Sequence, residues 1–197
     1  MKNQTILILM IVASMQVRAQ QEKNTYINVA IGLGFSYPTD DVDISGSGFY
    51  VQGEYVHTLK KWIDIRPYTG LILTKTNSDY NDKYGTDFKS SANALLIGGK
   101  ARIIAPIPWF APYVEIGIGA SIGSFETVNP FTNIDNSGVF LHIPWSIGLK
   151  IGPHRNYDFS FSYYDHPSVK QFIGAAAVGF SFRFNSNQKE VLNIFKL

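Results

Sequence analysis

The chain has 197 residues, 45% hydrophobic and 14% aromatic, with only 16% charged. It contains no Cys, which excludes disulfides, thiol chemistry and a lipidated cysteine anchor. Setting aside Lys2 and Arg18 of the leader turns the formal charge of +2 into 15 basic against 15 acidic residues, so nothing points to nucleic acid.

Met1–Gln4 is a short basic start, Thr5–Met15 an apolar run and Val17-Arg18-Ala19 a cleavage signal. Residues 1–19 are therefore expected to be a signal peptide, too short to span a membrane as a helix. A single domain is expected over 20–184.

Period-two alternation then recurs eight times. Thr25–Ser36 sets Ile27, Val29, Ile31, Leu33 and Phe35 against Asn28, Ala30, Gly32, Gly34 and Ser36. Phe49–Thr58 sets Phe49, Val51 and Tyr55 against Tyr50, Gln52 and Glu54. Ile63–Lys75 sets Ile65, Leu71 and Leu73 against Asp64, Arg66, Tyr68, Gly70 and Thr74. Ala92–Ile104 sets Leu95, Ile97, Ala101 and Ile103 against Gly98, Lys100 and Arg102. Pro112–Gly123 sets Val114, Ile116, Ile118 and Ile122 against Tyr113, Glu115, Gly117, Gly119 and Ser121. Val139–Ile151 sets Leu141, Ile143, Trp145, Ile147 and Leu149 against His142, Ser146, Gly148 and Lys150. Tyr157–Tyr164 sets Tyr157, Phe159, Phe161 and Tyr163 against Asp158, Ser160 and Ser162. Ala175–Phe184 sets Ala176, Val178, Phe180, Phe182 and Phe184 against Ala175, Ala177, Gly179, Ser181 and Arg183.

In each segment the large apolar set forms one band, and the other face is small or polar. Lipid outside and a crowded polar lumen inside produce that inversion. The fold expected is an all-β, eight-stranded, antiparallel up-and-down transmembrane β-barrel. A soluble lipocalin-like barrel would need its apolar faces inside, which the opposed Lys, Arg and Glu contradict.

The connections alternate in length. Leu59–Trp62, Ala105–Ala111 and Gly152–Asn156 are short; Tyr37–Gly48, Thr76–Ser91 and Ser124–Gly138 are longer and polar. Short turns belong to the periplasmic side, so both termini are expected there. Trp62 and Trp109 fall at that end, where an aromatic belt sits. Arg66–Leu71 echoes Ala111–Ile116, each with a Pro placed near a strand start and a Tyr pointing inward. Residues 185–197 are expected to be a C-terminal periplasmic tail, with Val191, Leu192, Ile194, Phe195 and Leu197 apolar.

From Thr25 to Phe184 the chain resembles the small eight-stranded outer-membrane proteins of the OmpA/OmpX type. The resemblance rests on the leader, the alternating segments, the Pro-Tyr starts and the aromatic end Gly179-Phe180-Ser181-Phe182-Arg183-Phe184. It implies a bacterial outer-membrane location and contact with lipid and lipopolysaccharide. It also implies a last-strand signal for the barrel-assembly machinery at Phe180, Phe182 and Phe184. The tail departs from the pattern, because many members stop at the aromatic. The family spans adhesins, structural and protective proteins and a few lipid enzymes, so it fixes no activity. A non-enzymatic structural, accessory or surface-contact role is expected, including membership of a membrane protein complex.

The inward charges Glu54, Asp64, Arg66, Lys100, Arg102, Glu115, Lys150, Asp158 and Arg183 are expected to pair inside a lumen that side chains fill. A narrow ion channel is the functional alternative. His166-Pro167-Ser168, placed after the seventh strand at the outer rim, offers a His and Ser for a lipid A deacylase-like enzyme. The eighth strand has no Glu to orient the base, Glu190 lies at the wrong end, and adjacent Asp165 is badly placed. Asp40, Asp41, Asp43, Asp79, Asn81, Asp82 and Asp87 lack calcium-loop spacing. His57, His142, His154 and His166 lack metal-ligand spacing, and no Gly-rich loop opens a helix, so neither metal nor cofactor is expected.

Overall fold

A strand in lipid must pair all its backbone groups internally, so eight spanning strands have to close on themselves. In the computed structural model, which describes residues 25–40, 42–77 and 88–183, they do. The strands are β1 (Thr25–Pro38), β2 (Gly46–Lys60), β3 (Ile63–Thr76), β4 (Lys89–Ile104), β5 (Phe110–Val128), β6 (Asn133–Ile151), β7 (Tyr157–His166) and β8 (Gln171–Arg183). Each pairs antiparallel with its neighbours, and β8 closes on β1. The expected leader, Asp41, most of the second long loop with Asp79, Asn81, Asp82 and Asp87, Phe184 and the expected tail with Glu190 lie outside the described residues.

The stagger follows from the register. Stepping across the partners from Val139 of β6 leads through Ile122, Leu95, Leu71, Val51, Ile31, Val178 and Phe159 to Leu149, ten residues along the same strand. Strand number and shear together set the tilt and the width, and an eight-stranded barrel has room only for side chains.

Parity sorts the side chains as the alternation requires. Ile31, Leu33, Ile116, Ile118, Leu141, Ile147 and Phe161 are exposed on the outer surface. Trp145 and Tyr163 stack there with centroids 4.7 Å apart. Trp62 and Trp109 lie exposed beside the short turns.

β5 and β6 run several residues beyond the apolar alternation. Past Ile122 and Val139 the outward positions turn polar (Ser124 and Glu126; Ser137, Asp135 and Asn133), yet pairing continues to Val128 and Asn133. The hairpin has left the hydrocarbon, so its hydrophobic period stops while its hydrogen bonds do not. β7 pairs only with Ile143–Ile151, so the upper part of β6 stands without a strand partner on that side.

Pro67 lies near the start of β3, as expected. It is the fifth residue of β3, and the β2–β3 ladder skips from Glu54↔Tyr68 to His57↔Ile65 around it. Pro144 marks a similar gap in β5–β6 between Ile116↔Trp145 and Gly119↔His142. Proline has no N–H to donate, so each ladder loses its bonds there.

Candidate functional site in the barrel lumen

The lumen is layered. In its lower half, inward positions of β2–β5 and β7 bring Glu54, Arg66, Lys100, Arg102, Glu115 and Asp158 together, each almost wholly buried. Arg66 and Lys100 are cross-strand neighbours, a repulsive pair on their own. Glu54 resolves this. Its Oε2 takes Arg66 Nε at 2.9 Å and also pairs with Nη2, and its Oε1 takes Lys100 Nζ at 2.6 Å. Glu115 repeats the device between Lys100 (2.9 Å) and Arg102 (2.6 Å). Arg102 Nη1 reaches Asp158 at 2.7 Å, and Tyr113 donates its hydroxyl to the same carboxylate. Asp64 stands 3.5 Å from Arg66 Nη1.

Above the charges lies an aromatic tier. Tyr164 donates to Gln52 Oε1 at 2.6 Å, so the 2.8 Å bond between the tyrosine hydroxyls runs from Tyr50 to Tyr164. Gln52 in turn donates to Glu54 at 2.8 Å, which joins this tier to the charges.

Beside it runs a second chain whose protons can be ordered from one end. A carbonyl only accepts, so His166 Nδ1 donates to the Tyr164 oxygen at 3.0 Å. For neutral imidazoles, His166 Nε2 then accepts from the Ser121 hydroxyl at 2.7 Å. Ser121 accepts from His142 Nδ1 at 2.8 Å, and His142 Nε2 accepts from Tyr68 at 2.5 Å. Every member is buried. Glycines make the room, because a Cβ on Gly119 would overlap both Tyr68 Oη and His142 Nε2.

The outer end is closed by Ile72, Leu96, Phe125, Val169 and Ile173, all fully buried. A cavity in the lumen, lined by Asn28, Tyr50, Gln52, Glu54, Lys100 and Asp158 among others, is about 10 Å³. That is about the least space a single water needs.

At the mouth, Asn129 Oδ1 accepts from the amides of Phe131 and Thr132, both at 2.8 Å, and its Nδ2 donates to Asp40 at 3.1 Å. Thr132 and Asn129 facing Asp40 lower its carboxyl pKa below the usual value. This ties the first loop to the raised hairpin and leaves Phe131 75% exposed at the tip.

Several expected site residues sit differently. His166 is not beyond the seventh strand. It ends β7, faces the lumen and has both ring nitrogens engaged. Ser168 lies exposed on a 3-10 turn, Pro167–Val169, and makes no bond to it. Inward parity set by Asp158, Ser160 and Ser162 continues through Tyr164 to His166, a signal that Pro167 masks. Lys150 is in the lumen, but its Nζ binds the hydroxyls of Tyr26 (3.1 Å) and Ser181 (3.0 Å) instead of a carboxylate. Phe180 and Phe182 face outward; Arg183 ends β8. Of the Tyr68–His142–Ser121–His166 chain, Tyr68, Ser121 and His142 were legible only as scattered inward positions, and His166 was expected at the outer rim. Among the described residues, no three His, Asp or Glu side chains gather as metal ligands.

Comparison with known proteins places this geometry. The model of the outer membrane protein beta-barrel domain matches residues 5–187. No curated protein matches the chain. Among solved structures, Neisserial surface protein A superposes with a TM-score of 0.56 at 12% identity, over 81% of this chain and 97% of its own. Ail, the attachment invasion locus protein of Yersinia pestis, gives 0.49 at 14%, over 83% of this chain and 100% of its own. The outer membrane enzyme PagL gives 0.47 at 15%, over 81% and 99%. At such identities likeness speaks for fold alone, and the last two scores carry no functional argument. The family match over nearly the whole chain and the closed barrel with its apolar belt agree: the chain belongs to the outer membrane protein beta-barrel domain family and is an integral protein of the Gram-negative outer membrane.

Proposed function

We propose that the chain is a closed, non-enzymatic barrel with a structural or accessory role, making its contacts at the outer surface through the raised β5–β6 hairpin. The observation that carries this is the filled lumen. Ion pairs lie below, aromatics between and an apolar cap above, and the cavity among the charges is about 10 Å³. Such a lumen neither conducts nor admits a substrate. Planar-bilayer recordings of the purified chain are expected to stay silent; discrete, reproducible openings would sink the closed reading.

Catalysis by His166 and Ser168 gets no support from their positions. The base is turned inward and the hydroxyl lies elsewhere. His166→Ala is expected to leave the lipid A acyl pattern of the cells unchanged by mass spectrometry, and a change would restore the enzyme.

Contact at the outer face is supported by the tie between Asp40 and Asn129, which presents Phe131 on an ordered tip. Gentle detergent extraction followed by native mass analysis is expected to retain a stoichiometric companion that Phe131→Asp loses. A barrel that emerges alone from both strains argues against the accessory role. Phe180, Phe182 and Phe184 are proposed as the assembly signal, with the barrel-assembly machinery as the transient partner.

A further inference from the structure

The outer surface of the barrel carries an apolar groove of about 440 Å³ on β3–β5, walled by Ile65, Ile116 and Ile118 and floored at Gly99 and Ala101. It is shallow and open: a Cβ built on Gly99 meets no atom within 4 Å, so the gap between the isoleucines there is unfilled. Two of its walls, Ile116 and Ile118, are well exposed, at 64% and 68%, and Ile65 is 40% accessible.

The groove points down towards the β2–β3 turn. Ile65 pairs with Ala101 and Ile63 with Ile103, and the Trp62 carbonyl accepts from Ile104 N at 3.0 Å. Gly99 is four residues from Ile103, roughly 13 Å along the strand. That is close to the roughly 15 Å between the middle of a bilayer and its headgroup boundary. At the turn, Lys60 and Lys61 are exposed, with Lys60 Nζ 5.7 Å from the centre of the exposed Trp62 ring. Among the described residues, neither lysine has a carboxylate within ion-pair distance. Half-exposed His57, the cross-strand partner of Ile65, adds a polar group on the same side.

We propose that this face is a binding site for one anionic phospholipid of the periplasmic leaflet. One acyl chain lies in the Gly99–Ala101 groove, and the phosphate sits between Lys60 and Lys61 beside Trp62. The charge of the turn selects the headgroup. The missing side chain at Gly99 holds the chain in one place instead of letting it slide over an even surface. The position in the lower half of the belt, above a short turn, assigns the leaflet and leaves lipopolysaccharide on the other side.

The test is native mass spectrometry of the full, folded chain after exchange into an equal mixture of phosphatidylglycerol and phosphatidylcholine with matched acyl chains. One phosphatidylglycerol is expected to survive desolvation in preference to phosphatidylcholine. Gly99→Leu fills the groove and is expected to lower that retention at least tenfold. Lys60→Ala with Lys61→Ala is expected to abolish the preference between headgroups. Ala101→Phe fills the same groove from the neighbouring position and covers the case in which the leucine variant does not fold. All folded variants keep the gel shift on boiling. Equal retention of both lipids by the parent chain overturns the proposal, and so does phosphatidylglycerol retention indifferent to the filled groove. A dimer that dissociates when the groove is filled also overturns it, because the occupant is then a second copy.

Discussion

Arg66→Ala is expected to lower the stability of the barrel by about 3–5 kcal/mol, the cost of stranding buried charge when one partner of a pair is removed. Arg66 is fully buried and engages Glu54 through Nε and Nη2, with Asp64 and Glu115 also within ion-pair distance. Without it, Glu54 keeps Lys100 while Asp64 loses its ion-pair partner. The cavity beside these groups, about 10 Å³, leaves room for no more than about one water to solvate the remainder. Urea unfolding in lipid vesicles, followed by tryptophan fluorescence, measures the loss. Added salt should barely alter it, since screening acts weakly on buried pairs. The pair itself need not be favourable against an apolar one, so Arg66→Met with Glu54→Leu should lose less than either single change. A loss below about 1 kcal/mol for Arg66→Ala would place the residue with exposed ion pairs and refute the buried network as a structural element.

How much of this was legible follows from what one strand can reveal. Parity is local, so Glu54, Arg66, Lys100, Arg102 and Glu115 could be assigned to the lumen from their own segments. Which carboxylate meets which cation depends on the register across four strands, and that is not local. Lys150 shows the difference: its parity is right, yet the hydroxyls of Tyr26 and Ser181 meet it first. The upper ends of β5 and β6 were hidden for another reason. Outside the hydrocarbon both faces of a strand can be polar, and the alternation that marks a strand in lipid vanishes at Ser124 and Ser137 although pairing continues. His166 was misplaced because Pro167 reads as the start of a turn, while β7 in fact carries its inward parity up to the residue before the proline.

The closing seam sets the other large expected effect. Gly32→Val is expected to prevent the barrel from forming its heat-resistant, fast-migrating state. Gly32 faces the lumen, paired with Tyr50 on β2 and Ala177 on β8. A Cβ there would overlap the Ala176 carbonyl and lie 2.6 Å from Ala177 Cα. Both obstacles are backbone, so no rotamer relieves them and β8 itself must move away. Overpacking a core typically costs about 1–3 kcal/mol, backbone shifts included. Here the yielding element is also the seam, and a strand edge opened in lipid leaves N–H and C=O groups with no partner, at several kcal/mol each. Local strain thus becomes failure of closure. Gly53→Ala is the matched control, because its Cβ meets nothing nearer than Thr69 O at 4.0 Å. Refolding into detergent micelles, read on unboiled gels, separates the two. The control migrates as the parent does, and Gly32→Val runs as an unfolded chain. A folded Gly32→Val barrel of parental stability would mean that the β1–β8 seam can shift without opening, and that the small inward face of Ala175, Ala177 and Gly179 is not what lets the barrel close.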